Sequence, residues 1–256
     1  MRIRSSDWLP AIRPLDRGHV HIAIGDVHGR ADLLEALHRA LQSTLQRLAP
    51  AHTAVIYLGD LIDKGPQSRR ALALARHGLP NTQNHLLLGN HEDRLLRLLD
   101  EDDPVAFARW MQHGGQALFD ELAVSDVANW RDAVRSGLGA STLDWLRQGA
   151  VMLRLSDLVY VHAGIDVRVA LARQSRQDLL WTRGSWIESR GPYEDDLAFI
   201  HGHTPVAGVD LTNRHRINLD TGASETGILS ALLIHESRMK LIQTVPAPPE
   251  PQPPFH

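Results

Sequence analysis

The sequence predicts an α/β protein built as a four-layer α/β/β/α sandwich, two mixed sheets with flanking helices. Three observations lead there. Strand-like and helix-like segments alternate over the first ninety residues, a mostly helical stretch follows, and a second set of apolar runs closes the chain. HVHIAIGD (19–26) reads as a strand ending in a turn. ADLLEALHRALQSTLQRL (31–48) carries Leu33, Leu34, Leu37, Leu41, Leu45 and Leu48 at helical spacing. TAVIYLGD (53–60) is a second strand, rich in β-branched and aromatic residues, and QSRRALALARHG (67–78) a helix closed by Gly78 as C-cap. NHLLLGN (84–90) is a third strand, so the opening third is βαβ units with parallel pairing and right-handed crossovers.

Residues 92–150 show helical apolar spacing in EDRLLRLLD and PVAFARWMQ and are expected to form a helical cap or insertion, with Trp110, Trp130 and Trp145 as its packing residues. Further strands are expected at 158–162, 197–201, 214–219, 228–235 and 239–244. Short turns between the last of these, one carrying TGASETG, predict an antiparallel meander. Residues 1–245 are expected to form one domain, and the proline-rich PAPPEPQPPFH (246–256) a disordered tail, because so little apolar surface cannot offset the entropy of ordering it.

With 256 residues and 43% hydrophobic content, the chain can bury a full core. A net charge of −3 with 22% charged residues gives no electrostatic footprint for nucleic acid or an anionic membrane. No apolar stretch suits a signal peptide or a membrane span, so a cytoplasmic protein is expected. Cysteine is absent, which excludes disulfides and thiolate ligation and leaves only oxygen and nitrogen to hold a metal.

Such ligands recur in order. GDVHG (25–29), GDLIDKG (59–65) and GNHE (89–92) each follow an apolar run, and HAG (162–164) and HGHTP (201–205) supply further histidines. Asp26 and His28 leave the same side of the chain if it stays extended there, and can grip one ion. Asp60, at the end of the next strand, can bridge to a second ion roughly 3.5–4 Å away, which Asn90, His162 and His203 complete. Mixed nitrogen and oxygen ligation suits two divalent ions such as Mn²⁺, Fe or Zn²⁺ better than Ca²⁺, and Mn²⁺ is the expected choice. Such a pair activates water and clamps phosphoryl oxygens, so the substrate is expected to be a phosphate ester. His91, beside a ligand yet free to point at substrate, is the candidate acid for the departing alkoxide, and Asp63 its orienter. Arg183, in LLWTRGSW, can hold phosphate oxygens in bidentate fashion, and Lys64 can add a point charge.

These five segments, in this order, resemble the PPP-type branch of the calcineurin-like metallophosphoesterases, from about residue 19 to 235, with 92–150 matching loosely. Bacterial and phage-type serine/threonine protein phosphatases and symmetrical diadenosine tetraphosphatases share the pattern. The resemblance implies Asp26, His28 and Asp60 on the first metal; Asp60, Asn90, His162 and His203 on the second; His91 and Asp63 as acid and partner; and Arg183 on phosphate. It also implies a phosphomonoesterase of the protein phosphatase type. The symmetrical hydrolases, the alternative, tend to carry Gln where this chain has His28. NLDTGA (218–223) resembles the closing strand-turn and is read as structural.

Two positions depart from the pattern. Lys64 stands where the family has arginine and lacks the planar fork, and Pro205 stands where broader relatives carry a second histidine. Other polar groups have plainer readings. His201 is equally a buried strand residue, His19 and His21 belong to the core edge or surface, and DEDD (100–103) ends a helix before Pro104. The glycines of Gln112-His113-Gly114-Gly115 fit either a helix C-cap or a loop approaching the site.

Overall fold

The computed structural model describes residues 1–247, so the tail expected at 246–256 lies, from residue 248 onward, outside the described residues. Along the chain the strands are β1 Arg2–Ser5, β2 Leu9–Pro10, β3 His19–Ile24, β4 His52–Tyr57, β5 Gln83–Leu86, β6 Met152–Leu155, β7 Leu158–Val161, β8 Ala198–His201, β9 Arg216–Asn218, β10 Ser230–His235 and β11 Arg238–Val245. The α-helices are α1 Ala31–Leu48, α2 Ser68–His77, α3 Asn90–Asp100, α4 Pro104–Trp110, α5 Gln116–Glu121, α6 Trp130–Leu138, α7 Ala140–Arg147, α8 Arg176–Trp181, α9 Ser185–Glu188 and α10 Ala223–Thr226. Helix α1 spans the predicted residues because its leucine stripe has a core to face: Leu33, Leu34, Leu37 and Leu41 are buried.

One sheet runs β1-β11-β10-β3-β4-β5, with β2 paired to β11; the other runs β6-β7-β8-β9. Strands β3, β4 and β5 pair in parallel, as do β7, β8 and β9. Both faces of each sheet are covered, which is why these strands read as unbroken apolar runs. Ala23, Ile56 and Leu232 of the first sheet meet Tyr160, Ile200 and Ile217 of the second. On the outer face of the first sheet, Ile22, Ile24, Val55 and Tyr57 pack under α1, α2 and the helices of 92–150. On the outer face of the second, Val159, Val161 and Phe199 pack against Leu179 and Trp186 of the α8–α9 segment. His21 lies between the sheets, its Nδ1 2.9 Å from the Tyr160 hydroxyl. These are the four predicted layers.

Two expectations fail, and three strands add to the predicted set. The closing strands are not a meander: β9 pairs in parallel with β8, TGASETG carries the chain across to the other sheet, and the antiparallel hairpin that follows is β10–β11 alone, as β6–β7 is before them. The third strand stops at Leu86, and Asn90 already opens α3, so the GNHE segment is a helix N-terminus rather than a strand end. Strands β1, β2 and β6 were not predicted. All of β1 and β2 is exposed at an edge against β11, leaving no burial pattern in the sequence to mark them. Among the described residues no helix is long and apolar enough to cross a membrane.

Candidate metal centre

The C-terminal ends of the parallel strands bring the motif residues together, as open α/β sheets do. Asp26 follows β3, Asp60 follows β4, Asn90 and His91 open α3 beyond β5, His162 follows β7 and His203 follows β8. The loops close on one another tightly: a β-carbon at Gly89 would run into the Asp60 carboxylate, and one at Gly202 into that of Asp26. The glycines of the motifs are there for this approach rather than for turn type alone.

The chain is not extended at His28. Its φ is +45°, and Asp60 (+51°), Asp63 (+68°), Lys64 (+62°) and His203 (+70°) are left-handed as well. Each such non-glycine residue costs on the order of 1–2 kcal/mol, so other contacts must hold it. Glu92 does this for the middle motif. Its wholly buried carboxylate accepts the N–H groups of Asp60 (2.8 Å), Leu61 (2.7 Å), Ile62 (3.1 Å) and Gly89 (2.9 Å). One side chain thereby ties the loop after β4 to the N-terminus of α3 and fixes Asp60 against Asn90.

Two clusters of potential ligands result, His28/Asp60/His91 and Asp60/His162/His203, with the ligand atoms in each lying within 4.8 Å of one another. Asp60 belongs to both, its Oδ2 3.4 Å from His28 Nε2 and its Oδ1 3.4 Å from His162 Nε2. Asn90 Oδ1 lies 2.9 Å from His162 Nε2 and 2.8 Å from His203 Nδ1. Asp26 is in neither cluster; its Oδ2 accepts the His203 N–H at 3.0 Å.

The residues present fit a pair of divalent cations. Nδ1–H of His28 donates to the Ile62 carbonyl and that of His162 to the Leu58 carbonyl, each at 2.9 Å, which turns the Nε2 lone pairs inward. Burial lowers the pKa of His162, lowers His28 to about 3 and His203 to about 2, so all three rings are neutral and able to ligate. The lone pairs of His162 Nε2 and Asn90 Oδ1 then face each other, and Asp26 Oδ1 is buried with no partner. Burial, then the charges of Asp220 and Asp60, push the Asp26 carboxyl well above the usual range. A pair of cations held by these residues would relieve these conflicts.

Beside the clusters, His91 Nδ1–H donates to Asp63 Oδ2 at 2.7 Å, leaving Nε2 3.9 Å from Asp60 Oδ2. Burial disfavours the imidazolium, but the carboxylates of Asp60 and Asp63 outweigh it and raise the His91 pKa above that of free imidazole. The same Asp63 oxygen accepts the Trp110 indole N–H at 2.7 Å. Trp110 was expected only to pack. It does so, fully buried against Phe107, Phe119 and Trp130, yet it also carries the helical insertion into the site. The Gly114 carbonyl accepts the Lys64 N–H at 3.0 Å, and a β-carbon at Gly114 would press on Lys64, so the glycine loop approaches the site. Lys64 Nζ donates to His28 Nε2 at 2.8 Å, and Arg183 Nε to His203 Nε2 at 3.0 Å. Both cations therefore border the two clusters.

The calcineurin-like phosphoesterase family profile matches residues 21–227. The chain belongs to the calcineurin-like phosphoesterase family. It is a metal-dependent phosphoesterase, and the donor sets just described are where divalent ions can sit. It is 31% identical to serine/threonine-protein phosphatase 1 of Salmonella typhimurium, across 90% of this chain and 94% of that one. It is 28% identical to the asymmetrical bis(5'-nucleosyl)-tetraphosphatase PrpE of Bacillus velezensis, across 78% and 82%. A cold-active protein-tyrosine phosphatase of a psychrophilic Shewanella shares the fold, with TM-score 0.57 and 18% identity across 89% and 80%.

Sequence reasoning missed Glu92, Trp110 and Asp220. Glu92 had a signal, three residues beyond Gly89 at capping-box spacing. Asp220 lies in the NLDTGA turn read as structural; it is 2% exposed, and burial pushes its carboxyl up to about 6. Trp110 had none, since nothing local says which tryptophan meets a carboxylate. His201 stays outside the site, buried between Arg216 and Trp186.

Proposed function

We propose that the centre hydrolyses phosphomonoesters, with phosphoserine and phosphothreonine side chains as the substrate class. The observation that carries this reading is the buried His91–Asp63 pair, with a raised His91 pKa, facing the carboxylate common to both clusters. An alkoxide leaving group needs a proton, and this pair can deliver it from His91 Nε2. Asp26, His28 and Asp60 would hold one ion, and Asp60, Asn90, His162 and His203 the other. Mn²⁺ suits this mixed nitrogen and oxygen set. When bound, the ions supply charge neutralisation and a nucleophile drawn from water. Arg183 and Lys64, exposed at the rim, would bind the phosphoryl oxygens.

Hydrolysis of a dinucleoside polyphosphate is the second reading, favoured by the likeness to PrpE and to a symmetrical tetraphosphatase of Chromobacterium violaceum. Incubating the Mn²⁺-loaded protein with a phosphoserine peptide and with diadenosine tetraphosphate separates the two. Phosphate release from the peptide is expected; turnover of the dinucleotide alone would overturn the first reading.

Trp110 acts in this scheme as a positioning residue for Asp63. A hydrogen bond to a charged group contributes roughly 1.5–3 kcal/mol, so Trp110→Phe is expected to lower kcat by about 10–100-fold. Metal content should stay at the wild-type level. An unchanged kcat would show that the indole only packs.

A further inference from the structure

Helix α3 presents Asn90 and His91 to the metal centre from its first turn and Arg94 from the next. Between α3, α4 and α8 lies a cavity of about 300 Å³, lined by Arg94, Arg97, Arg109, Leu98 and Trp181. Asp93, Glu101 and Asp103 also border it, each with a partner other than Arg94 or Arg109. Asp93 accepts from Arg176 Nε at 2.7 Å, Glu101 pairs with Arg97 at 3.4 Å, and Asp103 caps α4 through the Ala106 N–H at 2.9 Å. Among the described residues, Arg94 and Arg109 have no carboxylate partner.

Arg94 is half-buried and held in place, its guanidinium 4.6 Å over the ring of Trp181. Trp181 in turn lies edge-on to His203, with ring centroids 6.2 Å apart. The cavity therefore adjoins the second cluster through Trp181. Partial burial disfavours the Arg94 charge and Arg109 opposes it, while the carboxylates of Asp63, Asp60 and Asp93 favour it from beyond ion-pair distance, so the guanidinium lacks a direct carboxylate partner. An anion arriving with the substrate would give it one.

We propose that this cavity is a second anion subsite, in which Arg94 and Arg109 bind a carboxylate or phosphate carried by the substrate beside the phosphoryl group being hydrolysed. This rests on reading the neighbouring centre as a phosphomonoesterase. The anion can come from an acidic residue flanking a phosphoserine or from the chain of a nucleoside polyphosphate, and both present the same oxygens to a guanidinium.

Four substrates test it: p-nitrophenyl phosphate, a phosphoserine peptide with flanking Asp and Glu, the same peptide with Asn and Gln instead, and diadenosine tetraphosphate. The wild type should prefer the acidic peptide over its neutral counterpart by about tenfold in kcat/KM. In Arg94→Met, which leaves a side chain of similar length to pack on Trp181, and separately in the exposed Arg109→Met, that ratio should fall toward one, chiefly through KM. Loss of kcat/KM confined to the dinucleotide in both variants would support the subsite and assign its anion to a polyphosphate chain. Equal loss on all four substrates, or an unchanged acidic-to-neutral ratio with dinucleotide turnover intact, would overturn the subsite. Failure of the wild type to hydrolyse even p-nitrophenyl phosphate would instead overturn the reading of the centre itself.

Discussion

His91→Ala is expected to lower kcat by roughly 10²–10⁴-fold while two metal ions per chain remain bound. The proposed role requires a protonated ring whose Nδ1–H is held by Asp63 at 2.7 Å. Burial works against that proton, but the Asp60 and Asp63 carboxylates prevail, so the protonated form persists above the pH at which free imidazole titrates. The acid is lost as pH rises through this raised pKa. Wild-type kcat should therefore decline on the alkaline side, and the variant should lack that limb. His91 also lies within the first cluster of potential ligands, its Nε2 3.9 Å from Asp60 Oδ2. Metal analysis of the dialysed variant decides between the two roles: loss of an ion would make His91 a ligand rather than the acid.

Asp60→Asn is expected to remove metal from both clusters, because this carboxylate is the one group they have in common. The substitution is nearly isosteric. Its remaining carbonyl oxygen can still accept the His91 N–H that Asp60 Oδ1 takes at 3.1 Å, so loss of fold is not the expected outcome. What disappears is the second anionic oxygen. Outer-sphere changes typically weaken metal binding by about 10–100-fold, and loss of a shared ligand should exceed that. Fewer than two ions per chain after dialysis, together with a lower Tm at fixed Mn²⁺, is the expected result. Two ions retained at wild-type affinity would remove Asp60 from the bridging role.

The cap between residues 92 and 150 is where local reading lost most. Its helical periodicity is plain, and Trp110 and Trp130 are buried as expected. Yet the contact that matters, indole to Asp63, joins residues 47 positions apart. The closing strands repeat the point. TGASETG has the composition of a hairpin turn, and the strands on either side of it belong to different sheets. Turn residues record how sharply the backbone bends and carry nothing about which sheet receives the next strand. His28 is a third instance. Extended geometry was the simplest continuation of β3, whereas packing of the neighbouring loops holds it left-handed at φ +45°.

The alternation from β3 to β5, the four layers and the residue types gathered at the centre were legible in the sequence alone. Those follow from periodicity and from side-chain chemistry, which act over a few residues and survive in the order of the chain. Tertiary structure alone decided how the loops lock together, through Glu92 across four backbone amides and through glycines where a β-carbon would strike a carboxylate. It alone set Trp110 on Asp63 and left the guanidinium of Arg94 on Trp181 beside the centre. These contacts join segments distant in sequence. Their energies depend on burial and on hydrogen-bond geometry, which no local pattern encodes.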